Sequence, residues 1–488
     1  MTVRAAALAV FALIDVALVI GATACHRPAP DAPPSSDELT IPAAVDAPDA
    51  ATIAAARCRR TEKVISLGGL GGLGGAGDAR DLEIGEAIGY PGGVAVGLIH
   101  HAAGGRTAAV ALLHGDARGG ARVVDLAQTL GDAPPPRLGW RGGDLVAAAY
   151  PLPAADAGAG DATRGAAVYT IVGDAVAGVP LAVPQRRDES FALDLAFAGP
   201  AGLLVWDQVT EQPTGQTTSQ PTSAPRGVVK VAAFVKDHAE AARDVSPAES
   251  DAELPRVVTS GAGFLVLWIA RRPEAAIGPD AAPAEATGEA RAYGWLEMVA
   301  VDAHGAVTGP VRRLTSSMGH VSAYDVVILP GEPASAASPI AVLARDDGEA
   351  TDGSGGALLR LRVRGDAVDP VEPVVTDGLG RGAPALVFSA AFSAARASRE
   401  GAGERRPVPA WVSWSSKDEQ ARLLPLTPSG EIAGRPSAED ALGDGQPLLL
   451  LAADAGDAGT AESEVLVAAP SDPAGPLRVF ACANGTTN

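Results

Sequence analysis

The sequence predicts an all-β chain, a single β-propeller of about seven four-stranded blades, and three observations predict it. Glycine and proline, 58 and 39 of 488 residues, are scattered so widely that long uninterrupted helices have no room. Hydrophobic residues make up 47% of the chain but aromatics only 4%, so the core is built of Ala, Val and Leu in short runs. Those runs recur along the chain as internal repeats, the signature of a radial array of small sheets.

Residues 1–24 read as a secretory signal: Arg4, an apolar stretch from Ala5 to Ala22, and the small residues Ala22–Thr23–Ala24 directly before Cys25. The small residues followed by Cys resemble a lipobox, which implies acylation of Cys25. Ala22 stands where lipoboxes usually carry Leu, and Asp15 interrupts the apolar core. A signal cut without lipidation and an uncleaved membrane anchor are the competing readings. Residues 25–56, rich in Pro, Ala, Asp and Ser, have no periodic apolar face and read as an extended tether.

The body is expected over residues 57–488. Its repeats are marked by apolar strands at 93–101, 144–150, 202–209, 263–270, 339–346, 409–415 and 464–470. Each is followed by a partner: 107–115, 167–173, 228–237, 293–305, 357–365, 420–430 and 475–485. Shorter runs precede them, such as 254–261, 322–331 and 446–454, and some partners continue into a further strand at 306–315 or 367–378. Low-complexity insertions at 211–227 and 271–292 lengthen two repeats without disturbing a ladder. The last repeat lacks a fourth strand, and "RCRRTEKVISL" (57–67) is expected to supply it from the N-terminal side and close the ring.

Three cysteines fit this scheme. With Cys25 lipidated, Cys58 and Cys482 remain at the two ends of the body, and ring closure puts them on neighbouring strands, as a disulfide in an oxidising compartment. Two unpaired buried thiols are the alternative. The G-x-G-x-x-G stretch from Gly69 to Gly74 reads as the connection after the closing strand. A dinucleotide site needs a helix there, and Gly85 and Gly89 break the segment that follows.

The charge balance and the motifs exclude more than they assign. A formal charge of −20 with no Lys/Arg run leaves no nucleic-acid footprint. The seven histidines lack metal-ligand spacing, and neither a G-x-S-x-G elbow nor a P-loop occurs, so no cofactor and no catalytic residue is predicted. His100 and His101 point to opposite faces of one strand, one packed and one solvated. Asp346, Asp347, Glu349 and Asp352 crowd one Gly-rich turn, which is either a weak calcium site or an acidic hairpin. Trp206, Trp268 and Trp414, with Tyr150 and His100 nearby, fall at similar places in their repeats. They either form a ring that stacks on a flat ligand at one mouth or wedge between blades.

With its lipobox-like start, Pro-rich tether and divergent repeats ending in turns such as "VDAHGAVTG", the chain resembles bacterial propeller lipoproteins of unassigned function. It lacks the Trp-Asp, kelch, Asp-box and quinone-docking motifs of better-defined propeller classes. The resemblance implies a monomeric body, exported and lipid-anchored in the cell envelope, at the outer membrane, acting as a non-catalytic scaffold for a protein or glycan. It is similar in this to the propeller lipoprotein of the outer-membrane assembly machinery. An exported hydrolase or lyase with its site in the propeller mouth is the competing class. Clustered carboxylates with raised pKa at the axis would favour the enzyme, an apolar or aromatic patch the binder. Tandem β-sandwiches are the competing fold.

Overall fold

The computed structural model describes residues 57–65, most of 82–388, and 410–417, 421–426, 430–432, 446–451, 462–468 and 477–483. Among them every regular element is a β-strand, and all belong to one compact unit, Thr52–Asn488. The glycine run 69–74 lies outside the described residues.

The chain opens with β1 (Arg57–Ile65) and then builds sheets in sequence order. The strands β2 (Glu83–Tyr90), β3 (Gly93–Ala102), β4 (Gly105–His114) and β5 (Ala121–Gln128) form the first sheet. The next holds β6 (Arg137–Arg141), β7 (Asp144–Ala149), β8 (Gly165–Val172) and β9 (Ala175–Pro184). In the third, β10 (Leu193–Ala198), β11 (Ala201–Val209) and β12 (Gly227–Val235) carry the short outer pieces β13 (His238–Ala239) and β14 (Arg243–Asp244). The fourth comprises β15 (Asp251–Ser260), β16 (Gly263–Arg271), β17 (Gly294–Val301) and β18 (Arg312–Arg313). In the fifth, β19 (Val321–Ile328), β20 (Ile340–Asp346) and β21 (Ala357–Arg364) carry β22 (Ala367–Val368) and β23 (Glu372–Val375). Three described strands make the sixth: β24 (Ala385–Phe388), β25 (Ala410–Ser415) and β26 (Ala421–Leu426). Finally β27 (Gln446–Leu451), β28 (Glu462–Ala468) and β29 (Leu477–Ala483) form a sheet whose outer strand is β1.

All of these pairings are antiparallel, so each sheet is a meander with one strand per pass. The segment 57–65 pairs with β29, and its register sets Cys58 opposite Cys482. The first strands of successive sheets lie side by side from β2 through β6, β10, β15, β19 and β24 to β27, and β27 lies beside β2. The fold is a β-propeller.

Burial follows from that stacking. Where their burial is described, second strands are covered on both faces and read as apolar runs: Leu145–Ala149 and Ala201–Trp206 are buried without interruption. Outer strands alternate or are exposed, as in β5. The core is therefore divided into layers between neighbouring sheets. One layer joins Ala95 and Val110 to Leu138 and Ala147; another joins Val146 and Val168 to Leu204 and Phe234.

The outermost strands are shorter than the sequence predicts. The expected strand 306–315 keeps a ladder only at Arg312–Arg313, and the expected strand 367–378 breaks into β22 and β23. Pro310, Pro370 and Pro373 have no backbone N–H to give, which is tolerated only at an edge.

Candidate functional site

The first strand of each sheet lines the centre of the molecule, and five of them carry a charged residue there. In chain order these are Glu86, Arg137, Asp194, Arg256 and Asp325, on β2, β6, β10, β15 and β19. Their signs alternate. Because neighbouring first strands lie side by side, four of the five, all but Arg256, bond to the next sheet.

The carboxylates act mainly on backbone. Glu86 Oε1 accepts the Leu138 N–H at 3.0 Å while its Oε2 meets Arg137 Nη1 at 2.9 Å. Arg137 Nε donates onward to Leu193 O at 3.0 Å. Asp194 Oδ2 accepts the Val257 N–H at 2.8 Å, and Asp325 Oδ2 accepts the Leu386 N–H at 2.8 Å. The remaining junction, between β15 and β19, is bridged by Tyr324, whose Oη lies 2.9 Å from Leu254 O and 2.8 Å from Leu267 O. From β2 to β24, each junction between first strands thus carries a side-chain-to-backbone bond.

Electrostatics at the centre is set by burial. Burial pushes the Asp194 carboxyl above the ordinary carboxylate value, against the pull of Arg256 and Arg137. Asp325 shifts upward for the same reason, again opposed by Arg256. The Tyr324 phenol is raised well above its usual value by burial. Burial disfavours the Arg256 cation, but Asp194, Asp325 and Glu86 together outweigh it and keep the guanidinium charged.

Arg256 itself is held loosely. Its Nη1 lies 3.9 Å from Asp194 Oδ1, beyond hydrogen-bond length, and its side chain is 24% exposed. Two residues earlier, Leu254 is the one described non-glycine residue with positive φ, at 54°. Its N–H is donated to the buried Asp207 Oδ2 at 2.8 Å, and its carbonyl faces the Tyr324 phenol. Clamped from both sides in a strained conformation, Leu254 is 43% exposed.

The aromatic residues singled out from sequence lie elsewhere. Trp206, Trp268, Trp414 and Tyr150 are 1%, 0%, 7% and 2% exposed, inside the layers between successive sheets. An exposed stacking ring needs open faces, and these four fill the core instead. Trp268 Nε1 donates to Glu297 Oε2 at 3.1 Å, and Tyr150 Oη to Ala192 O at 3.3 Å. His100 is buried with Nε2 2.8 Å from Asp125 Oδ1, whereas His101 is exposed, as the strand alternation requires.

In the acidic turn, Asp346 Oδ1 accepts the His320 and Gly348 N–H groups at 3.1 and 2.9 Å, and Asp347 Oδ1 meets Arg345 Nε at 2.6 Å. Glu349 and Asp352 lie outside the described residues, as does Cys25; of Cys58 and Cys482 only the backbone register is described. Among the described residues no group of three His, Cys, Asp or Glu side chains gathers as a metal site.

The axial charges were missed in the sequence although a signal exists. Each stands in the short run that opens a repeat, next to an apolar neighbour: "GEAIG", "PRLGW", "LDLAF", "PRVVT" and "YDVVI". Aligning the repeats on those runs instead of on the longer second strands brings the five charges into one column.

No family model matches the chain, and no curated protein matches it. Among solved structures it is similar to the subtype N10 neuraminidase-like protein of A/little yellow-shouldered bat/Guatemala, with TM-score 0.37 and 10% identity over 71% of this chain and 93% of that one. The Synechocystis apocarotenoid oxygenase aligns with TM-score 0.38 and 12% identity, over 72% and 70% of the two chains. Trypanosoma rangeli sialidase aligns with TM-score 0.34 and 9% identity, over 75% and 56%.

Proposed function

We propose that this chain is a non-catalytic scaffold of the bacterial cell envelope, exported, lipid-anchored through Cys25, and presenting the axial mouth of its propeller to a protein or glycan. In this reading the seven sheets among the described residues are seven blades, and β1 closes their ring with a Cys58–Cys482 disulfide. One observation carries the functional reading. Each axial carboxylate has an oxygen committed to a backbone N–H of the neighbouring first strand, which stiffens the rim instead of freeing it for proton transfer. A rim that needs no reordering keeps more of its contact energy on binding.

The test is cross-linking in the native membrane fraction, followed by affinity capture and mass spectrometry. A reproducible partner near stoichiometric yield supports the scaffold; recovery of the protein alone from intact envelopes overturns it.

A specific observation favours a second reading, an exported hydrolase or lyase. Asp194 and Asp325 are both pushed above the ordinary carboxylate value by burial, which is the state a general acid needs. Turnover of a glycan or ester panel that is lost in Asp194→Asn, with the fold intact, would make the enzyme primary.

A further inference from the structure

The Arg256 guanidinium makes no hydrogen bond to any described residue, although it belongs to the axial track and lies 3.9 Å from Asp194. It carries five N–H donors in a fixed fork. Its nearest anionic contact is the 3.9 Å approach to Asp194, whose other oxygen is taken by Val257 N–H. The side chain is 24% exposed and none of its nitrogens is a buried atom without a partner, so the unspent donors face solvent and are open to a ligand. Arg137, the other axial arginine, differs on this point, because Glu86 and Leu193 O both receive its donors.

We propose that Arg256 and Leu254 together form a binding site for an organic carboxylate bearing an apolar group, at the mouth of the axis. The Arg256 fork takes the carboxylate oxygens in parallel hydrogen bonds, and the exposed Leu254 side chain contacts the apolar part. The proposal rests on the axial mouth being the recognition face and names the chemistry read there.

Three features select this ligand class. Leu254 holds an apolar side chain open at a strained position that the Asp207 and Tyr324 contacts over-determine. The groups facing the site are Glu86, Asp194, Asp325, Arg137, Arg256 and Tyr324, with three carboxylates against two guanidinium groups. A dianion is repelled by that balance more than a monoanion, which disfavours phosphate. Burial also moves Asp194 and Asp325 toward the neutral acid, so the site turns less negative as pH falls and monoanion binding tightens.

The experiment is calorimetric titration of the whole exported body with acetate, butyrate and hexanoate, with inorganic phosphate and methylammonium as controls. The expected result is binding of the three carboxylates, tighter with each longer chain, and none of either control. Arg256→Gln weakens hexanoate about tenfold or more, and Arg256→Lys, which keeps the charge but not the fork, falls between. Leu254→Ala removes the dependence on chain length and leaves acetate binding unchanged. Thermal unfolding of each variant separates lost binding from lost fold, and Arg256→Lys serves if Arg256→Gln does not fold. Absence of carboxylate binding by the wild type, phosphate binding as tight as hexanoate, or full binding in folded Arg256→Gln overturns the proposal. An envelope partner captured equally by wild type and Arg256→Gln leaves the scaffold standing while the carboxylate site falls.

Discussion

Leu254 shows how one residue carries a cost that the fold maintains. A left-handed conformation costs a residue with a Cβ about 1–2 kcal/mol, and the bonds from Leu254 N–H to Asp207 and from Tyr324 to its carbonyl hold it there. Leu254→Gly is therefore expected to be more stable than Leu254→Ala by about 1 kcal/mol in urea unfolding, although glycine is ordinarily the worse residue in a strand. Asp194 and Asp325 set a pH dependence of definite sign. Their native values are raised above the unfolded value of 3.8, so the folded state binds their protons more tightly. That stabilisation is complete below the unfolded value and is lost as pH rises through the native values. The unfolding midpoint should carry a falling component over this window, flattened in Asp194→Asn, whose amide oxygen still serves Val257 N–H. Trp268, fully buried and bonded to Glu297, is expected to cost about 3–5 kcal/mol on replacement by Ala, read as a large drop in melting temperature.

Between elements, close backbone approach replaces the side-chain bulk that this aromatic-poor chain lacks. Gly97 on β3 is the clearest case: a Cβ there would stand 2.4 Å from the Pro136 carbonyl oxygen, just ahead of β6. Backbone cannot swing aside as a side-chain tip can. Gly97→Ala should destabilise by about 1–3 kcal/mol in denaturant unfolding, whereas Gly131→Ala, with open space around its position, should be nearly neutral. The frayed outer strands show the opposite tolerance. Prolines at 310, 370 and 373 shorten edges that no neighbouring strand of the same sheet needs, and the covered strands of those sheets keep full ladders.

At the scale of the whole molecule, β1 ties the two ends of the body together. Its register puts Cys58 opposite Cys482, and a bridge there would restrain the unfolded chain over nearly its whole folded length. Cys58→Ser is expected to lower stability by about 2–4 kcal/mol under oxidising conditions and not at all in reductant, measured by guanidinium unfolding with and without dithiothreitol. An equal midpoint in both conditions would mean that the two thiols are unlinked.

Much of this architecture was legible in the sequence because its cause is local. Alternating and continuous apolar runs, turn residues and proline placement fix where strands start and stop, so 202–209 and 263–270 match β11 and β16 within a residue or two. The pairing of 57–65 with β29 was legible too, since the last repeat lacked a fourth strand. The fate of Trp206, Trp268 and Trp414 was not: a strand covered on both faces gives its aromatics no solvent side, and which faces are covered depends on the neighbouring sheets. The axial track was hidden for a related reason. Glu86, Arg137, Asp194, Arg256 and Asp325 lie tens of residues apart and meet only where five first strands converge, so their pairing and the raised pKa of Asp194 and Asp325 are properties of the assembled centre. By itself the sequence determined the strands and their grouping into sheets. Only the tertiary structure decided which charges share the axis, because that contact is made between sheets, across distances no local pattern encodes.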